Sequence, residues 1–317
     1  MLKTFADWLT YHIFAIAPHS LLGEAVNFFI YDTLKIFLLL IVIIFIISII
    51  RSFLPPEKVR KILSHKKIYI GNILAALLGI ITPFCSCSAV PLFLGFVRAG
   101  VPLGVTFSFL VSSPMINEIA LIMLLGLFGW KIALLYIFSG LIIAILSGII
   151  IGKLRVEKLL MEFVFTNKGD IQESFTQMTW KERTRYAASY TEDILNKVWP
   201  YILLGVGLGA WIHGYVPADF LAKYAGADKW YAVIFAVLIG IPLYSNAAGV
   251  LPLVSVLTEK GVAIGTALAF MMAVTGLSLP EFMILKTVMK TKLIIIFAGI
   301  VGLGIIFTGY LFNFILK

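Results

Sequence analysis

The sequence predicts an all-α polytopic membrane protein of about 8–10 transmembrane helices, arranged as two inverted-topology repeats with discontinuous or re-entrant helices. Three observations predict it. The 317 residues are 61% hydrophobic and only 13% charged, with a mean hydropathy of +1.04, which is too apolar for a soluble domain. Prolines and small polar residues interrupt the apolar runs at matching places in the two halves of the chain. Loop charge changes sides between those halves. The formal charge of +9 falls mainly between apolar segments, as cytoplasmic loop charge does, and no nucleic-acid module accompanies it.

Residues 1–23 read as an interfacial segment. Trp8, Tyr11, Phe14 and Ile16 suit a helix lying at the membrane surface, and residues 1–22 lack the charged start, apolar core and small-residue cleavage site of a removed signal peptide. The first spanning helix is expected from about Phe28 to Phe53, ending in Leu54-Pro55-Pro56, with Asp32 and Lys35 snorkelling near its start. A basic amphipathic piece, Glu57 to Lys67, precedes a helix from Ile68 that runs into Thr82-Pro83-Phe84-Cys85-Ser86-Cys87-Ser88-Ala89-Val90-Pro91. Proline lacks an amide donor and clashes with the carbonyl four residues earlier, so that helix must end or kink near Thr82. Unwound backbone there must be enclosed by protein or face a watery cavity. Beyond it come Leu92 to Val97, the turn Arg98 to Pro102, an apolar run to Val111, and a second interruption at Ser112-Ser113-Pro114-Met115-Ile116-Asn117-Glu118. Further apolar segments are expected from Ile119 to Phe128 and from Ile132 to Ile151, closing a first transmembrane repeat at residues 24–152.

Residues 153–193 read as a water-exposed connector. Within 153–197 lie eight Lys or Arg and seven Asp or Glu, and Asn167-Lys168-Gly169-Asp170 signals a turn. The second repeat, 194–317, restarts with a span from Ile194 to about Gly214, then Val216-Pro217-Ala218-Asp219, a helix from Tyr231 to Ile239 and another break. Pro83-Phe84-Cys85-Ser86 aligns with Pro242-Leu243-Tyr244-Ser245, and Pro91 with Pro252 if the second copy holds two extra residues. Gly100-Val101, Gly104 and Phe109 match Gly261-Val262, Gly265 and Phe270. Glu118 is placed on Glu281 with a further gap. The loop at 51–67 has six Lys or Arg, whereas its counterpart at 215–231 has Lys223 and Lys229 balanced by Asp219 and Asp228. The bias reverses at Lys286, Lys290 and Lys292 against a single basic residue in 126–131. By the positive-inside rule the repeats are oppositely oriented, the connector is cytoplasmic and both termini are external.

Inverted repeats with a broken helix in each copy bind substrate where the breaks face each other, with freed amides for anions and freed carbonyls for cations. The expected substrate-binding residues are Pro83, Cys85, Ser86, Cys87 and Ser88 from the first break, Ser112, Ser113 and Asn117 from the second interruption, and Tyr244, Ser245 and Asn246 from the second repeat. Glu118 and Glu281 are candidates for proton coupling, because an ionisable group in apolar sequence usually faces a cavity or a partner. A helix end near the headgroups would also account for either, and Glu281 follows Pro280, where an acid favours the helix dipole. Cys85 and Cys87 are soft donors suited to a trivalent arsenical or a thiophilic metal. Small, easily buried residues in a tight break are the alternative. A resident metal site is not expected, for the four-ligand set is missing. The histidines, His12, His19, His65 and His213, stand singly and receive no role.

Thr-Pro-Phe-Cys-Ser-Cys-Ser followed by a proline resembles the signature of the bacterial predicted permeases that include YraQ and the organoarsenical efflux permease ArsP. The resemblance covers nearly the whole chain, including Pro55-Pro56-Glu57, Ser112-Ser113-Pro114 and Asn246-Ala247-Ala248-Gly249. It implies a multi-pass permease of the inner membrane, and it raises export of trivalent organoarsenicals as an activity of part of that family.

The expected function is therefore a secondary transporter moving a small solute by alternating access. It is not read as an enzyme, and no cofactor is expected. ATP drive would need a separate subunit, since no Gly-rich phosphate-cradling loop is present. The expected partners are a small-molecule or metalloid substrate and the lipid bilayer, with homo-oligomerisation left open. A membrane thiol–disulfide electron carrier is an alternative, although a relay would need a thiol from each half and the second half has none. A channel would share the architecture and differ in conductance.

Overall fold

The computed structural model describes residues 2–18, 20–53, 68–82, 86–161, 179–215, 226, 229–243 and 247–316. Among them there is no strand, only two isolated bridges, as the apolar composition requires. The pieces expected at Leu54 to Lys67 and Val216 to Asp219, and the turn at Asn167 to Asp170, lie outside the described residues.

The chain begins with α1 (Leu2–Asp7), continued by a π-helical turn over Trp8–Ile13. Phe5, Trp8, Ile13 and Phe14 stay exposed, while Asn27 donates to the Asp7 carboxylate at 2.8 Å and ties this segment to α2 (Leu21–Phe53). Next come α3 (Ile68–Ile81), α4 (Ser86–Arg98), α5 (Leu103–Met115) and α6 (Glu118–Lys153). α6 is broken internally at Gly129, whose φ is 82°, where the sequence expects two segments. The second half comprises α7 (Trp180–Tyr215), α8 (Ala232–Gly240), α9 (Ala247–Glu259), α10 (Ile264–Gly276), α11 (Leu279–Leu285) and α12 (Thr291–Ile315).

These elements recur in strict register. α4 and α9 have the same length and start 161 residues apart (247 less 86), and so do α5 and α10 (264 less 103). The turns between them sit on Gly100 and Gly261, with φ of 80° and 87°, a left-handed conformation that glycine adopts without steric cost. Their hydrogen bonds also correspond: Val101 N–H donates to the Phe96 carbonyl, and Val262 N–H to that of Leu257, both at 3.0 Å, the helix-terminating pattern that satisfies orphan carbonyls.

Helix crossings keep the same register. Gly79 packs on Phe109 and Ser112, and Gly240 on Phe270 and Ala273. Gly104 packs on Gly148 and Gly152, and Gly265 on Gly309 and Asn313. One offset therefore holds on both sides of each break, which leaves no room for the two extra residues expected in the second copy. Counted at that offset, Pro83 corresponds to Tyr244 and Cys85 to Asn246. Asn117 corresponds to Ser278, so Glu118 and Glu281 are not counterparts.

The contacts also fix helix direction. The start of α3 (Asn72) and the start of α5 (Gly104) both lie beside the end of α6, at Gly148 and Gly152. α4 connects the far end of α3 to the start of α5, so α3 and α4 form a hairpin that leaves on the side it entered. Fourteen residues give α3 a length of about 21 Å. α5 then runs away from that end, and α6 beyond Gly129 returns to it. α5 is buried along its entire length and α10 nearly so, whereas α6 and α12 expose Ile122, Phe138, Ile142, Leu303, Phe307 and Phe314. The two central helices are thus wrapped by helices with lipid-compatible outer faces.

Where the halves meet, residues touch their own counterparts. The Met115 methyl lies 3.1 Å from where a Cβ would stand on Gly276, and the Ile143 side chain 3.3 Å from that position on Gly304; both pairs are 161 residues apart (276 less 115, 304 less 143). Met161 N–H donates to the Val288 carbonyl at 3.0 Å and Lys290 N–H to the Leu159 carbonyl at 2.9 Å. The end of α6 therefore stands beside the beginning of α12, its counterpart.

Candidate functional site

The hairpin tips are the two helix breaks. α3 is followed by Thr82, whose hydroxyl donates to the Leu78 carbonyl at 2.7 Å, a back-bond that occupies an end carbonyl. Pro83 and Cys85 lie outside the described residues. Ser86, Cys87 and Ser88 form the first turn of α4, so the second cysteine enters a helix N-terminus. In the second half Leu243 N–H donates to the Gly240 carbonyl at 3.1 Å, α9 begins at Ala247, and Tyr244, Ser245 and Asn246 between them lie outside the described residues.

The helices that follow the breaks pack across the halves: α4 against α11, and α9 against α6. α11 carries Glu281 in its first turn. Leu279 N–H donates to the Ile241 carbonyl at 3.0 Å, fastening the start of α11 to the second break. Glu281 is wholly buried and Ser278, the residue at the N-cap of α11, is 1% exposed. The Ser278 hydroxyl has no hydrogen-bond partner among the described residues. A buried carboxyl and a buried hydroxyl thus stand next to the second tip.

The other expected residues have separate duties. Asn117 caps α6, its side-chain oxygen accepting from Ala120 N–H at 2.9 Å. Glu118 is the first residue of that helix, where its charge would suit the dipole. Ser112 is fully buried, donates to the Phe109 carbonyl at 3.2 Å and packs on Gly79. Its counterpart is Ala273, so this position is helix packing next to the first tip. Ser113 is equally buried. Among the described residues no three His, Cys, Asp or Glu side chains gather as metal ligands.

One residue escaped the sequence reading. Tyr136, fully buried, donates to the Met115 carbonyl at 2.9 Å and meets the Thr275 hydroxyl of the other half. It satisfies a carbonyl left open where α5 ends. Its only sequence signal is a hydroxyl within an apolar segment.

The chain is similar in sequence to bacterial and archaeal proteins. The chain is 25% identical over 306 aligned residues to a UPF0718 protein of Methanocaldococcus jannaschii, covering 78% of this chain and 83% of the relative. It is 29% identical over 262 residues to a Streptococcus mutans protein that carries the name of a two-component membrane permease complex subunit, covering 81% and 84%. To the UPF0718 protein YraQ of Escherichia coli it is 21% identical over 265 residues, covering 83% and 73%. No solved structure matches the chain. The family described as predicted permease, ArsP_1, matches residues 21–314, and the chain belongs to it.

Proposed function

We propose that this permease is a secondary transporter of the inner membrane, in which residues 24–152 and 194–317 are inverted copies that alternate about a shared two-fold axis. Residues 1–23 lie at the interface, and 153–193 form the cytoplasmic connector. The observation that carries this reading is the contact of Met115 with Gly276 and of Ile143 with Gly304, because a residue touches its own counterpart only on a two-fold. Each half then contributes three crossings, namely α2 or α7, the broken α5–α6 or α10–α11 pair, and the rest of α6 or α12, together with one re-entrant hairpin. Three is odd, so the second copy is upside down. The reversed loop charges and the end of α6 beside the start of α12 agree with that.

The two hairpin tips form the substrate site near the midplane. Its substrate-binding residues are Pro83, Cys85, Ser86, Cys87 and Ser88 of the first break and Tyr244, Ser245 and Asn246 of the second, with Ser113 and Asn117 on the adjoining broken crossing and Ser112 behind them. At the common offset Asn246 answers Cys85, so the first break contributes thiols and the second hydrogen-bonding groups. That asymmetry suits a thiophilic solute with an organic or hydroxyl substituent, and a trivalent organoarsenical has both features. It also argues against a thiol–disulfide relay across the two-fold. Glu281 couples transport to protons. Its complete burial at the second tip makes its protonation responsive to whichever side is open, whereas Glu118 at a helix start is the weaker partner.

The test is binding of phenylarsine oxide and methylarsenite to purified protein and to the Cys85→Ser and Cys87→Ser variants, with folding checked by size exclusion. Saturable binding lost in both folded variants is expected. Unchanged binding would return the cysteines to packing. In proteoliposomes Glu281→Gln should bind the arsenical but lose the dependence of uptake on a pH gradient; retention of that dependence would remove Glu281 from coupling.

A further inference from the structure

Where α6 ends and α12 begins, the chain gathers cations that no described residue neutralises. Lys153 closes α6, and Arg155 follows in the left-handed region with φ 49°. A short 3₁₀ turn, Glu157–Leu159, then leads into the antiparallel bridge of Leu160 with Met289. The two hydrogen bonds flanking that bridge hold the segment against the α11–α12 connection. Lys153, Arg155 and Lys158 from one half are thereby placed at the same end of the molecule as Lys286, Lys290 and Lys292 from the other. All six are exposed. Glu157 is the single carboxylate in the two described segments, 153–161 and 286–292, and no ion pair joins any of the six to a described residue.

The helix dipoles do not account for all of them. Lys153 at a helix C-terminus is favourably placed, but Lys290 is the N-cap residue of α12 and Lys292 lies in its first turn, where no acid stands. Cations there oppose the positive end of the dipole. The Leu160–Met289 bridge and the Lys290 N–H to Leu159 carbonyl hydrogen bond bring the 3₁₀ turn that carries Lys158 alongside the start of α12. Among the described residues nothing answers this like-charged group, which leaves it open to anions from outside the chain. Its position narrows their source, for α6 and α12 are both long and apolar enough to cross a membrane, and their adjoining ends fall at headgroup depth.

We propose that this joint between the halves is a binding site for anionic phospholipid headgroups, with Lys158, Lys290 and Lys292 as its principal cations. Juxtamembrane basic clusters draw anionic lipid in this way. Because the cations come from both halves, a bound phosphate also reinforces the bridge between them. The inference is independent of the transported solute, so its failure would leave the transport reading intact.

The experiment is native mass spectrometry of protein purified from vesicles of mixed phosphatidylglycerol and phosphatidylcholine. Comparison is made with Lys158→Gln/Lys290→Gln/Lys292→Gln and with Lys181→Gln/Arg185→Gln, which removes two exposed cations from the start of α7. Wild type and the α7 variant should retain phosphatidylglycerol preferentially. The triple variant should lose that preference by about fivefold for each lysine removed. If the triple variant does not fold, Lys290→Gln alone is read against Lys290→Arg, which should restore retention. Equal retention of the two lipids by wild type, or undiminished preference in the lysine variants, would overturn the proposal. So would full displacement of the lipid by millimolar inorganic phosphate, which would make this a site for free anions.

Discussion

The two halves build the same three-helix crossing with different chemistry. In the first, Ser108 of α5 donates to the Asn72 side-chain oxygen of α3 at 2.8 Å, and both pack on Gly148 of α6. The counterparts in the second half are Val233, Ala269 and Gly309, where a Cβ on the glycine would stand 2.6 Å from a Val233 methyl and 2.8 Å from the Ala269 Cβ. One turn further along, the assignment reverses. Gly152 is answered by Asn313, whose amide donates to the Thr266 hydroxyl at 3.0 Å and whose oxygen accepts from Thr266 N–H at 3.2 Å. Each half therefore spends one asparagine on the crossing, at a different level. What is common to both is the small residue at the point of approach, since helix association in a membrane depends on close packing and side-chain hydrogen bonds.

The largest expected effect comes from filling that point. Gly148→Leu would drive a side chain into Ser108, Asn72 and the Gly104 carbonyl, of which the last is backbone and cannot give way. Overpacking of this kind costs about 3 kcal/mol or more, enough to abolish monodisperse protein in size exclusion. Gly309→Leu should do the same. If either variant purifies normally, close approach is not what the two crossings share.

A smaller effect sharpens the contrast between polar and apolar packing. Asn72→Ala or Ser108→Ala alone removes one partner from a fully buried pair, at about 1–3 kcal/mol each. The double variant Asn72→Val/Ser108→Ala copies the second half's own solution around an unchanged glycine. It should melt within a few degrees of wild type, above either single variant. Additive losses in the double variant would mean that the first half depends on its polar pair for more than packing.

That contrast also explains how far the sequence could be read. Most helices and their interruptions were legible, because proline at 83 and 242 and glycine at 100, 129 and 261 act on the local backbone. The interruption expected from Ser112 comes later, for α5 runs through Pro114 to Met115 and the break falls at Ile116 and Asn117. Three features were not legible. The register across the breaks was obscured because Pro83 and Pro242 invite an alignment that the crossings at Gly79 and Gly240 overrule. Hairpin direction depends on contacts such as Gly104 with Gly152, and hydropathy carries no sign of direction. Tyr136 was missed because one hydroxyl in an apolar helix gives no hint of the open carbonyl it finds 21 residues away. For the proposed site, the sequence singled out Glu281 and the cysteines by residue type, but only the structure shows that α4 and α11 pack on each other.

The gentlest test compares the first long helix of each half at its start, outside the membrane. α2 is capped by Ser20, whose hydroxyl oxygen accepts from Gly23 N–H at 3.0 Å, and this cap carries no charge. α7 is capped by a charge: the Glu182 carboxylate accepts from the Thr179 backbone N–H at 2.7 Å and from its hydroxyl at 2.8 Å, which is the carboxylate half of a capping box. Those two hydrogen bonds, the backbone one first, hold the Glu182 carboxyl below its ordinary value. A lowered folded pKa contributes stability that is complete above the unfolded value and is lost as pH falls through the folded one. Amide exchange at the first turn of α7 should therefore accelerate as pH falls below the ordinary carboxylate range, after correction for the intrinsic rate, while the first turn of α2 shows no such change from its cap. Glu182→Gln should remove the pH dependence at α7 and leave α2 as it was. If both helix starts respond alike to acid, or if the α7 response survives in Glu182→Gln, the carboxylate is not what distinguishes these two ends.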